Sequence, residues 1–347
     1  MHSYVFPGNI DSSIEALGAA PIPYMRTQEF SDINKSSEEM LLQLIHCGGG
    51  RAIIYTGSGT GAMSAVVENY VSTKHKALVI DGGSFGYRWW DLCNYYGIPS
   101  VHFQVPFAKD IDYDFLEITI QKEQPDVLLC QHHETSSGVL FNMDIISKIC
   151  IKYHVSLVVD VISSFLAEPL SMDKWDIDIC ITSTQKGLNI PPGLSIIFLN
   201  KRLENYPFAH KGYYWDFNTN LDNLKRGQTP FSPATSIYLQ LNARLRQIIA
   251  EGGEGYNISE VHDRCDYFRS LCSNYGWAIL AETPSYAITG FQTNDRERKI
   301  FRGLIERFDT FIMPGSIPGF YRVSHMGLQT KEDLQLLAYR THEIENS

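Results

Sequence analysis

From residue 51 to about residue 200 the chain alternates short apolar runs of strand length with amphipathic stretches of helical length. No other feature limits the fold as much. Strand-like runs are read at 51–56, 77–80, 101–105, 127–131, 155–160, 177–182 and 194–199. Helical patterns at 62–71, 85–96, 114–122 and 143–153 separate several of them. This alternation predicts an α/β protein with a mainly parallel sheet covered by helices on both faces. Such sheets bind ligands beyond the carboxyl ends of their strands, so chemistry is sought just after each run.

Past Asn200 the pattern changes. An aromatic loop, KGYYWDFNTN, leads through GQTPFSPAT into a long helix at 236–251, stopped by Gly252-Gly253. A helix at 259–275, strands at 277–281 and 287–292 and a closing helix at 331–343 then predict a smaller α+β domain. The division expected is an N-terminal segment and large domain over 1–240 and a small domain over 241–347, a partition that suits 347 residues.

Composition excludes several function classes. A net charge of -10 with no Lys/Arg run argues against a nucleic-acid partner. The longest apolar runs are strand-sized, short of the ~20 residues of a membrane span. The opening MHSYVFPGN lacks the basic and apolar regions of a secretory signal, so the cytoplasm is the expected location. Seven cysteines form no CxxC pair, and several stand in apolar runs such as LLCQ and DICIT. They read as buried thiols, not as disulfides or metal ligands.

The first candidate for chemistry is Gly57-Ser-Gly-Thr-Gly-Ala62, a glycine-rich turn between a strand and a helix. Such a turn aims free backbone N–H groups and a helix N-terminus at a phosphate. It also fits a dinucleotide fingerprint, with Asp81 ~20 residues on, and by itself it does not decide. The second candidate decides more. Asp160 ends the apolar run VSLVVD, and Lys186 follows the next run in TSTQKG, ahead of the Pro191-Pro192-Gly193 turn. A random acid–lysine pair is usually a salt bridge. Here the small polar neighbours and the glycine suit pyridoxal phosphate, which needs an amine for its aldehyde and a carboxylate for its ring nitrogen.

With these residues in view, the stretch from about 50 to 330 resembles the class V aminotransferases of fold type I. It is most similar to the alanine–glyoxylate/serine–pyruvate and 2-aminoethylphosphonate–pyruvate enzymes. The matching segments, in order, are GSGTGAM, DGGSFGYRW, HHETSSGVL, VVDVISSF, TSTQKGLNIPPGLS, KGYYWDF, TPFSPATSIY, IAEGG and FYRVSHMG. The resemblance implies that Lys186 carries pyridoxal 5'-phosphate as a Schiff base and that Asp160 holds its ring nitrogen. Ser58, Gly59 and Thr60 would bind the phosphate with Gln185 close by. Phe85 would stack on one ring face and Ile162 on the other, and Thr135 or Ser136 would meet the phenolic oxygen. Thr229 and Ser232 are both candidates to reach the phosphate of a partner subunit in a homodimer. Arg322 would clamp the substrate carboxylate, a task suited to the guanidinium fork.

Substrate is less legible. Met25-Arg-Thr-Gln-Glu-Phe30 stands nearer to the glyoxylate-type segment, with Met in place of its His, and Ser324-His325 matches neither subgroup. The implied reaction moves an amino group from alanine, serine or 2-aminoethylphosphonate to pyruvate or glyoxylate. His132-His133-Glu134 lacks further metal ligands around it. A desulfurase would need a cysteine on a late mobile loop, whereas the last one, Cys272, falls in a helical stretch. A nucleotide-binding dehydrogenase leaves Asp160 and Lys186 unexplained, and a non-catalytic relative leaves them unused.

Overall fold

The computed structural model describes residues 2–347. In chain order the main elements up to residue 250 are β1 (His2–Ser3), α1 (Gln28–Leu44), β2 (Arg51–Thr56), α2 (Gly59–Asn69), β3 (Ala77–Asp81), α3 (Ser84–Tyr95), β4 (Ser100–Gln104), α4 (Tyr113–Glu123), β5 (Val127–Gln131), α5 (Met143–Tyr153), β6 (Ser156–Asp160), β7 (Ile179–Ser183), β8 (Leu194–Leu199) and α6 (Thr235–Ala250), all but β1 belonging to the large part. Strands β2 to β8 make one sheet in the order β2-β8-β7-β6-β5-β3-β4. Its neighbours run parallel except around β8, which is antiparallel to both β2 and β7. The connection from β7 to β8 is too short for a parallel crossover, and it carries Lys186.

The strands read as continuous apolar runs because both faces of the sheet are covered. Ile54, Leu78, Leu128, Leu157, Cys180 and Ile196 enter one core with Phe30 and Leu41 of α1, Leu116 of α4 and Ile146 of α5. Their alternates Ile53, Val79, Leu129, Val158, Ile181 and Ile197 enter a second core with Met63 and Val66 of α2 and Trp89 of α3. Burying each such side chain stabilises the fold by about 1.5–3 kcal/mol, which locks the register and with it the strand ends that build the site. Helix α6 joins the first core through Tyr238, Leu241 and Leu245.

The C-terminal part comprises α7 (Gly253–Asn274), β9 (Ala278–Ile279), β10 (Ile288–Gln292), α8 (Lys299–Phe308), β11 (Thr310–Phe311), β12 (Met313–Pro314), β13 (Phe320–Ser324) and α9 (Lys331–Glu345). It holds a sheet of order β9-β10-β13-β12 packed on α7, α8 and α9. Thr330 and Asp333 close a reciprocal capping box at the start of α9. The joint to the large part combines an apolar cluster of Ala167, Val261, Ala287, Ile288 and Met326 with a polar anchor, the buried Glu168, which accepts hydrogen bonds from Ser285 Oγ and the Tyr286 and Ala287 amides. One feature absent from the strand pattern is that β1 pairs in parallel with β11, so the chain's first residues lie on the C-terminal part. All seven cysteines are free and buried, and no helix among the described residues is long and apolar enough to cross a membrane.

Candidate active site

Asp160 stands at the carboxyl end of β6, in register with Gln131 of β5 and Ile181 of β7, near the middle of the sheet. It is nearly fully buried, and its Oδ1 accepts the Ile162 amide at 2.8 Å. Burial pushes its carboxyl up to about 7, against the pull of the Ile162 amide and the Lys186 charge. Lys186 lies three residues past β7 and is equally buried. Burial brings its amine down to about 7; Asp160 opposes that shift and Arg322 adds to it. No described residue hydrogen-bonds Lys186 Nζ or the second Asp160 oxygen. The turn that presents the lysine is tight. Asn189 adopts the left-handed conformation with its amide on the Lys186 carbonyl, and a Cβ on Gly187 would fall 2.0 Å from the Phe165 carbonyl. Only glycine permits that approach.

Ser58 caps α2 by accepting the Gly61 amide, which leaves the Gly59 and Thr60 amides at the helix start without intrahelical partners. Trp215 packs under this turn, 2.9 Å from where a Cβ on Gly57 or Gly61 would stand. The aromatic run 213–215 is therefore split, with Trp215 supporting the turn while Tyr213 is 87% exposed. The buried Ser183 hydroxyl, facing Gly59, has no hydrogen-bond partner. Arg88, one helical turn beyond Phe85, donates to Thr60 Oγ1 at 2.8 Å and lies over the Phe85 ring. A capped helix start, an adjacent guanidinium and an orphaned hydroxyl suit a phosphate. Ile162 reaches the same turn beside Gly59, and Gln185 directly precedes the lysine.

Lys186 Nζ is 5.8 Å from the centroid of Phe85. Arg322, on β13, donates to the Thr135 carbonyl at 2.7 Å and to the Pro314 carbonyl at 3.1 Å, while its Nε is buried without a partner. Thr135 Oγ1 donates to Ser163 Oγ, and Ser163 donates to the His133 carbonyl. Ser136 is used differently: it donates to Glu134 and accepts the Ser84 amide. Thus Lys186, Asp160, Phe85, Ile162, Thr135 and Arg322 converge with the Ser58–Thr60 turn. Thr229 and Ser232 stand apart, lining a surface cleft with Thr56 and Tyr214.

Sequence reasoning left three residues without a role. Glu134 is fully buried and accepts from the Gly86 and Ser136 amides, Gln131 Nε2 and Ser136 Oγ, tying α3 to the 135–138 turn. The available signal was a lone acid just beyond the β5 run, in the His132-His133-Glu134 stretch. Arg88 was signalled by its three-residue spacing from Phe85 on one helix face. Phe6 carried no signal at all, yet its ring centroid lies 3.5 Å from Lys186 Nζ. His132 and His133 are buried, and burial lowers them to about 4 and about 3, which keeps both neutral.

Known proteins resemble this chain along most of its length. The family described as aminotransferase class-V matches residues 23–223. Among curated relatives, the small subunit of a soluble hydrogenase from Synechococcus sp. (strain PCC 6716) is 28% identical over 338 residues, covering 93% of this chain and 87% of that one. The L-aspartate–glyoxylate aminotransferase of Paracoccus denitrificans (strain Pd 1222) is 27% identical over 286 residues, covering 80% and 72%. The solved alanine–glyoxylate aminotransferase of Nostoc sp. superposes with a TM-score of 0.92 at 21% identity, covering 97% of this chain and 93% of that one. The family match spans more than half of the chain. The chain belongs to the class V aminotransferases, enzymes that work through pyridoxal phosphate.

Proposed function

We propose that this enzyme moves an amino group from a small donor, alanine, serine or 2-aminoethylphosphonate, to glyoxylate or pyruvate. The observation that carries the reading is Arg322. Its guanidinium is largely buried, is held by two carbonyls and keeps its Nε unpartnered beside the lysine. A fork so placed suits the carboxylate of a 2-oxo acid, and both proposed acceptors present one.

The cofactor's phosphate would be held by Ser58, Gly59 and Thr60, with Arg88, Ser183 and Gln185 adding charge and hydrogen bonds. Its ring would lie between Phe85 and Ile162 with its nitrogen on Asp160. Thr135 and Ser136 both remain candidates near the phenolic oxygen, since each hydroxyl already donates once, Thr135 to Ser163 Oγ and Ser136 to Glu134. When bound, pyridoxal phosphate supplies a sink for the electron pair freed as the donor's Cα–H bond breaks. Asp160 keeps the positive charge on the ring nitrogen that makes that sink effective. Lys186 does the proton work: a buried amine near neutrality both accepts a proton from Cα at Nζ and returns it to the neighbouring carbon. Arg322 fixes the substrate so that this transfer spans one short distance. Thr229 and Ser232 would complete the phosphate site of a second copy in a homodimer; their place with Tyr214 on a narrow surface cleft, away from this copy's own Lys186, supports that assignment.

The test is the visible spectrum of the protein with added pyridoxal phosphate, beside Lys186→Ala. A band that borohydride fixes covalently to Lys186, and that alanine, serine or 2-aminoethylphosphonate bleaches, supports the reading. A band that none of the three bleaches refutes the donor class.

A further inference from the structure

We propose that Phe6 sets the upper size limit of the amino donor and its keto acceptor, so that the third substituent on the reacting carbon is held to about one or two heavy atoms. This rests on the assignment of Lys186 and Arg322 above and deepens it.

Phe6 is not a loose N-terminal side chain. Before it, the Tyr4 amide donates to the Phe311 carbonyl at 2.9 Å, the Tyr4 carbonyl accepts the Ser324 amide at 3.0 Å, and the Tyr4 hydroxyl reaches the Asp333 carbonyl at 2.8 Å. After it, the Asn9 carbonyl accepts from Asn189 Nδ2 at 2.9 Å and from the Leu328 amide at 3.2 Å. The second anchor belongs to the turn that carries Lys186, and the first to the strand that carries Arg322. The segment therefore spans the two groups that would hold a substrate's ends. Between its anchors the ring packs on the apolar group of Ala287, Ile288 and Met326 and turns a face to Lys186 Nζ at 3.5 Å from the centroid. That separation is van der Waals contact, and no carbon fits between ring and amine.

A substrate whose carboxylate sits on Arg322 and whose reacting carbon faces Nζ has its third substituent beside this ring. Hydrogen, methyl and hydroxymethyl pass. Longer chains must displace Phe6, and the two anchors resist. An apolar pocket typically separates substrates differing by one methylene by about 10–200-fold, so the limit is steep enough to measure.

The experiment titrates the holoenzyme with acetate, propionate, butyrate and pentanoate, which bind without turnover, and measures kcat/KM for alanine, 2-aminobutyrate and norvaline. Wild type, Phe6→Ala, Phe6→Leu and Arg322→Ala are compared. In wild type, affinity improves to propionate and then falls about tenfold or more by pentanoate. In Phe6→Ala that fall disappears, and the norvaline-to-alanine ratio of kcat/KM rises by about tenfold or more. Phe6→Leu, which keeps apolar contact with Ile288 and Met326, shows an intermediate profile and serves if the alanine variant does not fold. An unchanged chain-length profile in both Phe6 variants, with binding still lost in Arg322→Ala, overturns the role of Phe6 alone. Carboxylate binding that survives in Arg322→Ala overturns the Arg322 reading and this one with it.

Discussion

Glu134→Gln replaces one atom and should cost both stability and proton affinity at Lys186. Each carboxylate oxygen of Glu134 faces two donors: Ser136 N and Oγ on one side, Gly86 N and Gln131 Nε2 on the other. A glutamine must turn its NH2 towards one of these pairs. Towards Ser136, the hydroxyl can rotate to accept, but the Ser136 amide loses its acceptor. Towards Gly86, the amide of Gln131 can flip, because its own Oε1 is now unpartnered, but the Gly86 amide is orphaned. Either way one largely buried backbone N–H goes unsatisfied, at about 1–3 kcal/mol. For 347 residues at about 2.1 cal/mol/K each, the unfolding entropy is ~0.7 kcal/mol/K, so Tm falls by roughly 1.5–4 °C. The lost anion also acts on Lys186, since the Glu134 charge favours the ammonium, and its removal moves the lysine further below about 7. Scanning calorimetry of the cofactor-free protein gives the first quantity. The pH dependence of Lys186 modification by an amine reagent, read on the peptide by mass spectrometry, gives the second. A Tm within half a degree of wild type, or a lysine profile that stays put or moves up, refutes the reasoning.

Other consequences are as direct. Lys186 titrates near 7 when folded and near 10.5 when unfolded, so the unfolded chain binds the extra proton between those values. Its contribution to the stability of the cofactor-free protein therefore rises with pH across that window, and denaturation curves of Lys186→Met should lack the rise. Asp160 behaves oppositely: raised from 3.8 to about 7, it makes the folded protein the better proton binder in between, so its contribution falls as pH climbs. Asp160→Asn should remove that slope while lowering turnover by at least about a hundredfold, measured by stopped-flow with alanine. Arg322→Lys keeps a charge but loses the fork, and KM for both substrates should rise about tenfold with a smaller change in kcat. Gly187→Ala puts a Cβ against the Phe165 carbonyl, so the lysine turn must move, and cofactor affinity measured by absorbance titration should fall.

The half of the proposed site that would hold the cofactor is built by local sequence, so its residues could be picked out as neighbours before the fold was known. Asp160 ends an apolar strand, Lys186 follows the next one, and Ser58 to Gly61 make a turn whose cap and glycines are consecutive. The strand positions were legible for the same reason, as runs buried on both faces. The direction of β8 was not, because an apolar run fits either orientation and only the short connection after Lys186 makes it antiparallel. Glu134 and Arg88 lay inside segments already singled out, but their partners are set by how α3 meets β5. Phe6 was beyond reach, since its position depends on pairing His2 with Thr310 across almost the whole chain.

That difference in origin has a functional consequence. The groups that would grip the cofactor come from neighbouring strand ends of one sheet, whose register is fixed by two cores. The groups that would grip the substrate come from elsewhere: Arg322 from a strand of the C-terminal sheet, and Phe6 from a segment strapped to that same strand at Ser324 and to the lysine turn at Asn189. A change at Phe6 therefore alters the room beside Lys186 without disturbing Asp160 or the Ser58–Thr60 turn. Substrate range should thus respond to substitution at residue 6 while the dissociation constant of the cofactor, set mainly by its phosphate and ring contacts, stays near its wild-type value. A Phe6 variant that loses cofactor together with selectivity would show that the two halves are mechanically one.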